Sequence, residues 1–145
     1  MIILDTNVLS ALMRDEPDGA VVTWLNAQPA ESIWTTAITV FEVRTGLELL
    51  DPSRRRDRLE SAFEQVLRVD LDNRVLAFDT AAADAAGVLV ATAQQGGRSL
   101  EFRDSQIAGI ALARKATLAT RNVRHFKDLR ARVVDPWAPT PRRKR

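Results

Sequence analysis

The sequence predicts an α/β domain built on a mostly parallel sheet, and three observations point to it. Short apolar runs without polar alternation, beginning with Ile2-Ile3-Leu4, have the character of strands buried on both faces. Longer stretches with apolar residues at helical spacing separate those runs. No internal repeat, long linker or low-complexity segment divides the chain, and 145 residues suit one domain with a real core.

Residues 2–4 read as the first strand, interrupted by Asp5-Thr6-Asn7. Val8, Leu9, Ala11, Leu12 and Met13 then resume at helical spacing. A turn over 15–19 leads to a second helix carrying Val21, Val22, Trp24 and Leu25, ended near Pro29. Residues 32–36, rich in β-branched and aromatic side chains, form the second strand. A helix opens at Thr39 and continues to Leu50, where Asp51-Pro52-Ser53 breaks it. The long amphipathic helix that follows has Leu59, Phe63, Val66 and Leu67 on one face and Arg54, Arg55, Arg56 and Arg58 starting the polar side. Residues 74–78 are a third strand. Asp79 caps an alanine-rich helix that runs to Gln95 and stops at Gly96-Gly97. Arg103-Asp104-Ser105 begins another helix, with Ile107, Ala108, Ile110 and Ala111 facing inward. Strands at 117–120 and 131–134 complete the set. The domain is expected to span 1–136, followed by a basic tail at 137–145.

Composition excludes much chemistry. There is no cysteine, so neither a disulfide framework nor a thiolate metal site is available. One histidine, His125, cannot build a zinc site alone or act as a pair of imidazoles on RNA. Hydrolytic chemistry would therefore fall to carboxylates with a hard, oxygen-seeking cation. The net charge is +2, but Arg142-Arg143-Lys144-Arg145 carry +4, which leaves −2 for the rest. The basic excess is a solvated tail, not a stripe across the domain. No apolar run approaches the roughly 20 residues of a bilayer span. The start lacks a basic flank and a long apolar stretch, and Asp5 also argues against export. A cytoplasmic protein is expected.

In open α/β sheets, ligands bind beyond the carboxyl ends of the strands, where strand order reverses. Asp5 follows the first strand directly, and Glu42 lies in the first turn of the helix after the second. Asp104 lies in the first turn of the helix leading to the fourth strand, and Asn122 comes just after that strand. Carboxylates gathered at one rim repel one another unless a cation neutralises them. A divalent metal does so, polarises a phosphoryl oxygen and lowers the pKa of a bound water.

Each position also has a purely structural account. Asp5 could cap the next helix, though Asp-Thr-Asn offers more polar groups than a cap needs. Thr39-x-x-Glu42 matches a capping box, so two readings of Glu42 stay open. Asp104 suits a helix N-terminus, and Asn122 suits a turn. Asp84 reads as a solvated helix face. His125 lies in a polar segment with no obvious partner. Trp24, Trp34 and Trp137 are too dispersed for a stacking platform and read as packing residues. Arg54-Arg55-Arg56 reads as a polar helix face.

At this point the residues resemble a known family. Ile3-Leu4-Asp5-Thr6-Asn7-Val8 and Ile38-Thr39-Val40-Phe41-Glu42-Val43-Arg44-Thr45-Gly46 look like the first two motifs of PIN-domain toxins. Arg103-Asp104-Ser105-Gln106-Ile107-Ala108 and Leu118-Ala119-Thr120-Arg121-Asn122-Val123-Arg124-His125-Phe126 are similar to the third and fourth. The likeness covers nearly the whole chain, in the same order, and is nearest to VapC toxins of the FitB-like group. It implies a five-stranded parallel sheet flanked by helices and a Mg²⁺- or Mn²⁺-dependent endoribonuclease. It also implies control by a VapB-type antitoxin, a homodimer, and contact with operator DNA through the antitoxin complex. The metal ligands it implies are Asp5, Glu42 and Asp104. The fourth position, often aspartate in the family, is Asn122 here, which can coordinate or orient water but brings no charge.

The expected mechanism has the three carboxylates holding the metal, with Asn7, Thr120 and Asn122 orienting water and carboxylates. Two alternatives stand beside it. A phosphatase with Asp5 as nucleophile would want a second carboxylate where Asn7 stands. A non-catalytic subunit that binds antitoxin or nucleic acid through a degenerate metal site is the alternative from another class.

Overall fold

In the computed structural model, which describes residues 1–127 and 129–138, β1 (Ile2–Leu4) lies at the centre of a sheet. On one side it pairs with β2 (Ile33–Thr36), which pairs with β3 (Val75–Leu76). On the other it pairs with β4 (Thr117–Ala119), which pairs with β5 (Arg132–Val134). All pairings are parallel, with Ile3 opposite Trp34 on one flank and Leu118 on the other. Parallel neighbours need long crossovers, and helices supply them. They are α1 (Thr6–Met13) and α2 (Gly19–Asn26) after β1, then α3 (Ala37–Leu49) and α4 (Arg54–Gln65) after β2. After β3 come α5 (Thr80–Gln95) and α6 (Phe102–Arg114), and α7 (Val123–Lys127) joins β4 to β5.

Successive strand residues point to opposite faces, which gives the sheet two cores. Leu4 and Ala119 face Val8, Leu9, Val43, Leu47 and Phe63 from α1, α3 and α4, and Val66 just beyond α4. Their neighbours Ile3 and Leu118 face Ile107, Ile110, Ala82 and Phe126 from the other layer. The three tryptophans pack as expected: Trp24 and Trp137 against the first core, Trp34 against the second. Trp137 also donates its indole N–H to Asp18 Oδ2 at 3.2 Å, and Arg121 stacks over its ring at 4.8 Å. Of the tail expected from 137, residues 139–145 lie outside the described residues.

The polar helix caps explain most boundaries. Asp18, Ser53 and Asp79 each accept from main-chain N–H groups of the turn that follows. Arg56 is more than a solvated charge. It binds Glu60 at 2.9 Å, Glu48 at 3.0 Å and the Leu50 carbonyl at 3.1 Å, tying α4 to the end of α3. The hydrogen bond it donates to Glu60 first, then the nearby negative charge, holds its pKa above the usual arginine value. Beyond α4 the chain widens into a π-helical turn over Val66–Asp70, closed by Leu71 N–H on Val66 O at 2.9 Å.

Two expectations need correction, and one helix is unanticipated. The helix after β2 opens at Ala37, not Thr39. Thr36 is its cap, accepting from Thr39 N–H at 3.1 Å, and Thr39 is buried inside the first turn. Two threonines three residues apart offer the same signature, and the strand register chooses the earlier one. The third strand is two residues long rather than 74–78. Asp72 and Asn73 turn through positive φ just before it, and Asp79 leaves it to cap α5. Finally, α7 had no expectation at all. One buried anchor, Phe126, holds this short helix, so it has no apolar period to read. Among the described residues no helix is long and apolar enough to cross a membrane.

Candidate active site

The strand order reverses between β1 and β4, and both strands end in a buried polar residue there. Asp5 and Thr120 are each fully buried. A buried carboxylate must be hydrogen-bonded and balanced by charge. Asp5 Oδ1 accepts from Thr6 N–H at 2.8 Å, which also caps α1. Its Oδ2 accepts from the Thr120 hydroxyl at 2.8 Å. Thr120 Oγ1 in turn accepts from the Asn7 amide at 3.3 Å and from Asn122 N–H at 3.1 Å. Asn7 Oδ1 takes Arg121 N–H at 3.1 Å. Asn7 and Thr120 thus form a brace behind Asp5, linking the ends of β1 and β4.

Thr120→Val is expected to destabilise the fold by about 2 kcal/mol, because it strands a buried carboxylate oxygen and two donors. Denaturant unfolding checks this, and a loss under about 0.5 kcal/mol would mean the brace is idle.

Glu42 sits in the second turn of α3, not the first, and the capping-box reading fails with that shift. Its Oε1 accepts instead from the Thr6 hydroxyl at 2.8 Å, reaching across to α1. Asp104, in the first turn of α6, is nearly buried.

The three carboxylates meet around one side chain, Arg103. Its Nε contacts Glu42, one terminal nitrogen lies 3.4 Å from Asp5 Oδ1, and the other lies 3.7 Å from Asp104 Oδ1. Burial pulls the guanidinium's pKa down. The Glu42 hydrogen bond and charge, then the charges of Asp5 and Asp104, more than reverse this and hold it above the usual value. Three negative charges and one positive leave the cluster at −2. Such a group attracts further cation.

The donor set is all oxygen, which suits Mg²⁺ or Mn²⁺ rather than a softer metal. Segments distant in sequence already share one cationic partner, so the residues fit a positive ion. As they stand, no three Asp, Glu or His side chains among the described residues are drawn tightly enough to hold one. They are spread around a guanidinium, which is far larger than a metal ion.

Not every expected residue joins the cluster by its side chain. Asn122 is exposed, and the bond tying it to the site comes from its main chain. His125, read as lacking a partner, has one: its Nδ1 lies 3.5 Å from Asp104 Oδ2, although 64 % of its side chain is exposed. Asp84 is exposed, as expected. Sequence reasoning also passed over Thr6 and Arg103. Thr6 gave no signal beyond its place in Asp-Thr-Asn. Arg103 gave one, a basic residue directly beside a buried acid.

Comparison with known proteins identifies the family. The PIN domain family model matches residues 2–131. VapC ribonuclease Y4jK of Sinorhizobium fredii is 37% identical over 139 residues, covering 96% of this chain and 99% of the relative. Toxin FitB of Neisseria gonorrhoeae is 34% identical over 137 residues, covering 94% and 99%. A solved structure of FitAB bound to an IR36 DNA fragment superposes with a TM-score of 0.87 at 32% identity, covering 98% of this chain and 99% of that one. With its parallel sheet, its acids at the β1/β4 switch point and these relatives, the chain belongs to the PIN-domain family, in the group of VapC and FitB toxins.

Proposed function

We propose that this chain is the toxin of a type II toxin–antitoxin system and an endoribonuclease that hydrolyses RNA phosphodiester bonds with Mg²⁺ or Mn²⁺. One observation carries the reading: Asp5, Glu42 and Asp104, from three separate segments, share a single cationic centre at the sheet's switch point. These three residues would hold the metal. When bound, the metal supplies Lewis-acid polarisation of a phosphoryl oxygen and a bound water of lowered pKa.

The chain's own residues do the rest. Thr120, braced by Asn7, fixes the rotamer of Asp5, and Thr6 fixes that of Glu42. Asn122, exposed at the rim, is tied to Thr120 through its main-chain N–H and adds no charge. Its neutrality limits the anionic ligands to three.

The relatives support the partners as well. The FitAB structure is an assembly on DNA. We assign this chain a VapB-type antitoxin, contact with operator DNA through that complex, a homodimeric state and a cytoplasmic location.

The test is direct. Purified chain, freed of antitoxin, should cut an end-labelled RNA pool at internal sites with Mn²⁺ or Mg²⁺ and stop when EDTA is added. Cleavage unaffected by EDTA would overturn the metal. Antitoxin binding without any cleavage would favour the non-catalytic subunit.

A further inference from the structure

We propose that Arg103 is the resident counter-ion of the acidic cluster, and that a divalent cation enters by displacing its guanidinium. The inference rests on the metal site proposed above and adds a competitor to it.

The geometry is that of a place-holder. Each of the three guanidinium nitrogens faces a different carboxylate, Glu42, Asp5 and Asp104 in turn. Without a cation those three carboxylates would repel one another at close range, at a cost to the fold. Arg103 therefore keeps them converged in the metal-free protein.

The same contacts make it an obstacle. A guanidinium carries only donors and has no lone pair for a metal. It is also always protonated, so it cannot surrender its charge to make room. Two cations on the same three carboxylates repel, and by linkage whatever holds one weakens the other.

The exit is open. Arg103 lies in the first turn of α6, and a third of its side chain (33 %) is exposed. Arg103 belongs to neither core cluster, so moving its head toward solvent removes no apolar packing from them. Asp104, its neighbour, is nearly buried and has far less freedom to move than Arg103.

Titration calorimetry with MnCl₂ and thermal melts on the full chain, Arg103→Gln, Arg103→Lys and Asp5→Asn test this. Arg103→Gln should bind Mn²⁺ about tenfold more tightly, roughly 1.4 kcal/mol, yet melt lower without metal. Its Mn²⁺-induced rise in melting temperature should be the largest of the set. Arg103→Lys keeps the charge and should bind within about threefold of the parent. A merely structural arginine would lower stability with and without metal and leave the affinity unmoved.

If the parent binds Mn²⁺, Asp5→Asn does not, and Arg103→Gln gains nothing, the competition is refuted and the metal site stands. A gain in Arg103→Lys equal to that in Arg103→Gln also refutes it. If the parent binds no Mn²⁺ at millimolar concentration, the site and the competition fall together. Should Arg103→Gln unfold without metal, recovery on adding Mn²⁺ supports the proposal, and persistent unfolding overturns it.

Discussion

Asp5→Asn is expected to reduce RNA cleavage by more than about 100-fold, beyond the loss typical of residues that only support a metal ligand, while the chain stays folded. The side chain is fully buried, so the change acts on charge and not on surface. Asn keeps the size of Asp and can still accept Thr6 N–H at Oδ1. What it loses is the anionic Oδ2 that takes the Thr120 hydroxyl. An amide NH₂ in that place points a donor at an oxygen already receiving Asn7 and Asn122 N–H. The cluster falls from −2 to −1, and with it the attraction for a divalent ion. Initial rates across a Mn²⁺ series, with circular dichroism as the folding control, read the result. Rates within tenfold of the parent at saturating Mn²⁺ would remove Asp5 from the chemistry.

Gly109→Val should be the most damaging single change in the scaffold, costing about 3 kcal/mol or more. Gly109 is buried on α6 where it crosses α5. A Cβ there would stand 2.5 Å from the Ala82 carbonyl oxygen, 2.8 Å from Ala86 Cβ and 3.0 Å from Ala86 N. Two of those atoms are backbone and cannot rotate away, so the helices must part. The helix propensity regained on replacing glycine is at most about 1 kcal/mol and cannot offset that. Even Gly109→Ala meets the same atoms and should destabilise. Because α6 also carries Arg103 and Asp104, prising it from α5 shifts two members of the acidic cluster. Guanidinium denaturation should show the lower midpoint. An unchanged midpoint in Gly109→Ala would show that α5 yields, and would contradict the tight crossing.

Much of this molecule can be read from local chemistry. Apolar runs without alternation mark strands buried on both faces, and helical spacing marks the crossovers, because each signal is carried by neighbours in sequence. That is why residues 2–4, 33–36 and the helix ending at Gln95 emerge close to their true bounds. Asp5 and Asp104 emerge as candidates as well, since strand ends and helix starts are local features and α/β sites lie beyond them, whereas Glu42 emerges only with its helix start misplaced by two residues. Where two local signals compete, the reading slips. Thr36 and Thr39 are equally good caps, and the pairing of β2 with β1 and β3 decides between them.

Contacts between segments far apart along the chain belong to the tertiary structure alone. Thr6 reaching Glu42, Thr120 backing Asp5 and His125 meeting Asp104 join residues whose separation no period encodes. The placement of Arg103 is of the same kind. A basic residue beside an acid in sequence says nothing of the other two carboxylates until α3 and β1 bring them within its reach. Charge acts through space and not along the backbone, so only the packed sheet and helices could turn three scattered acids into one electrostatic unit.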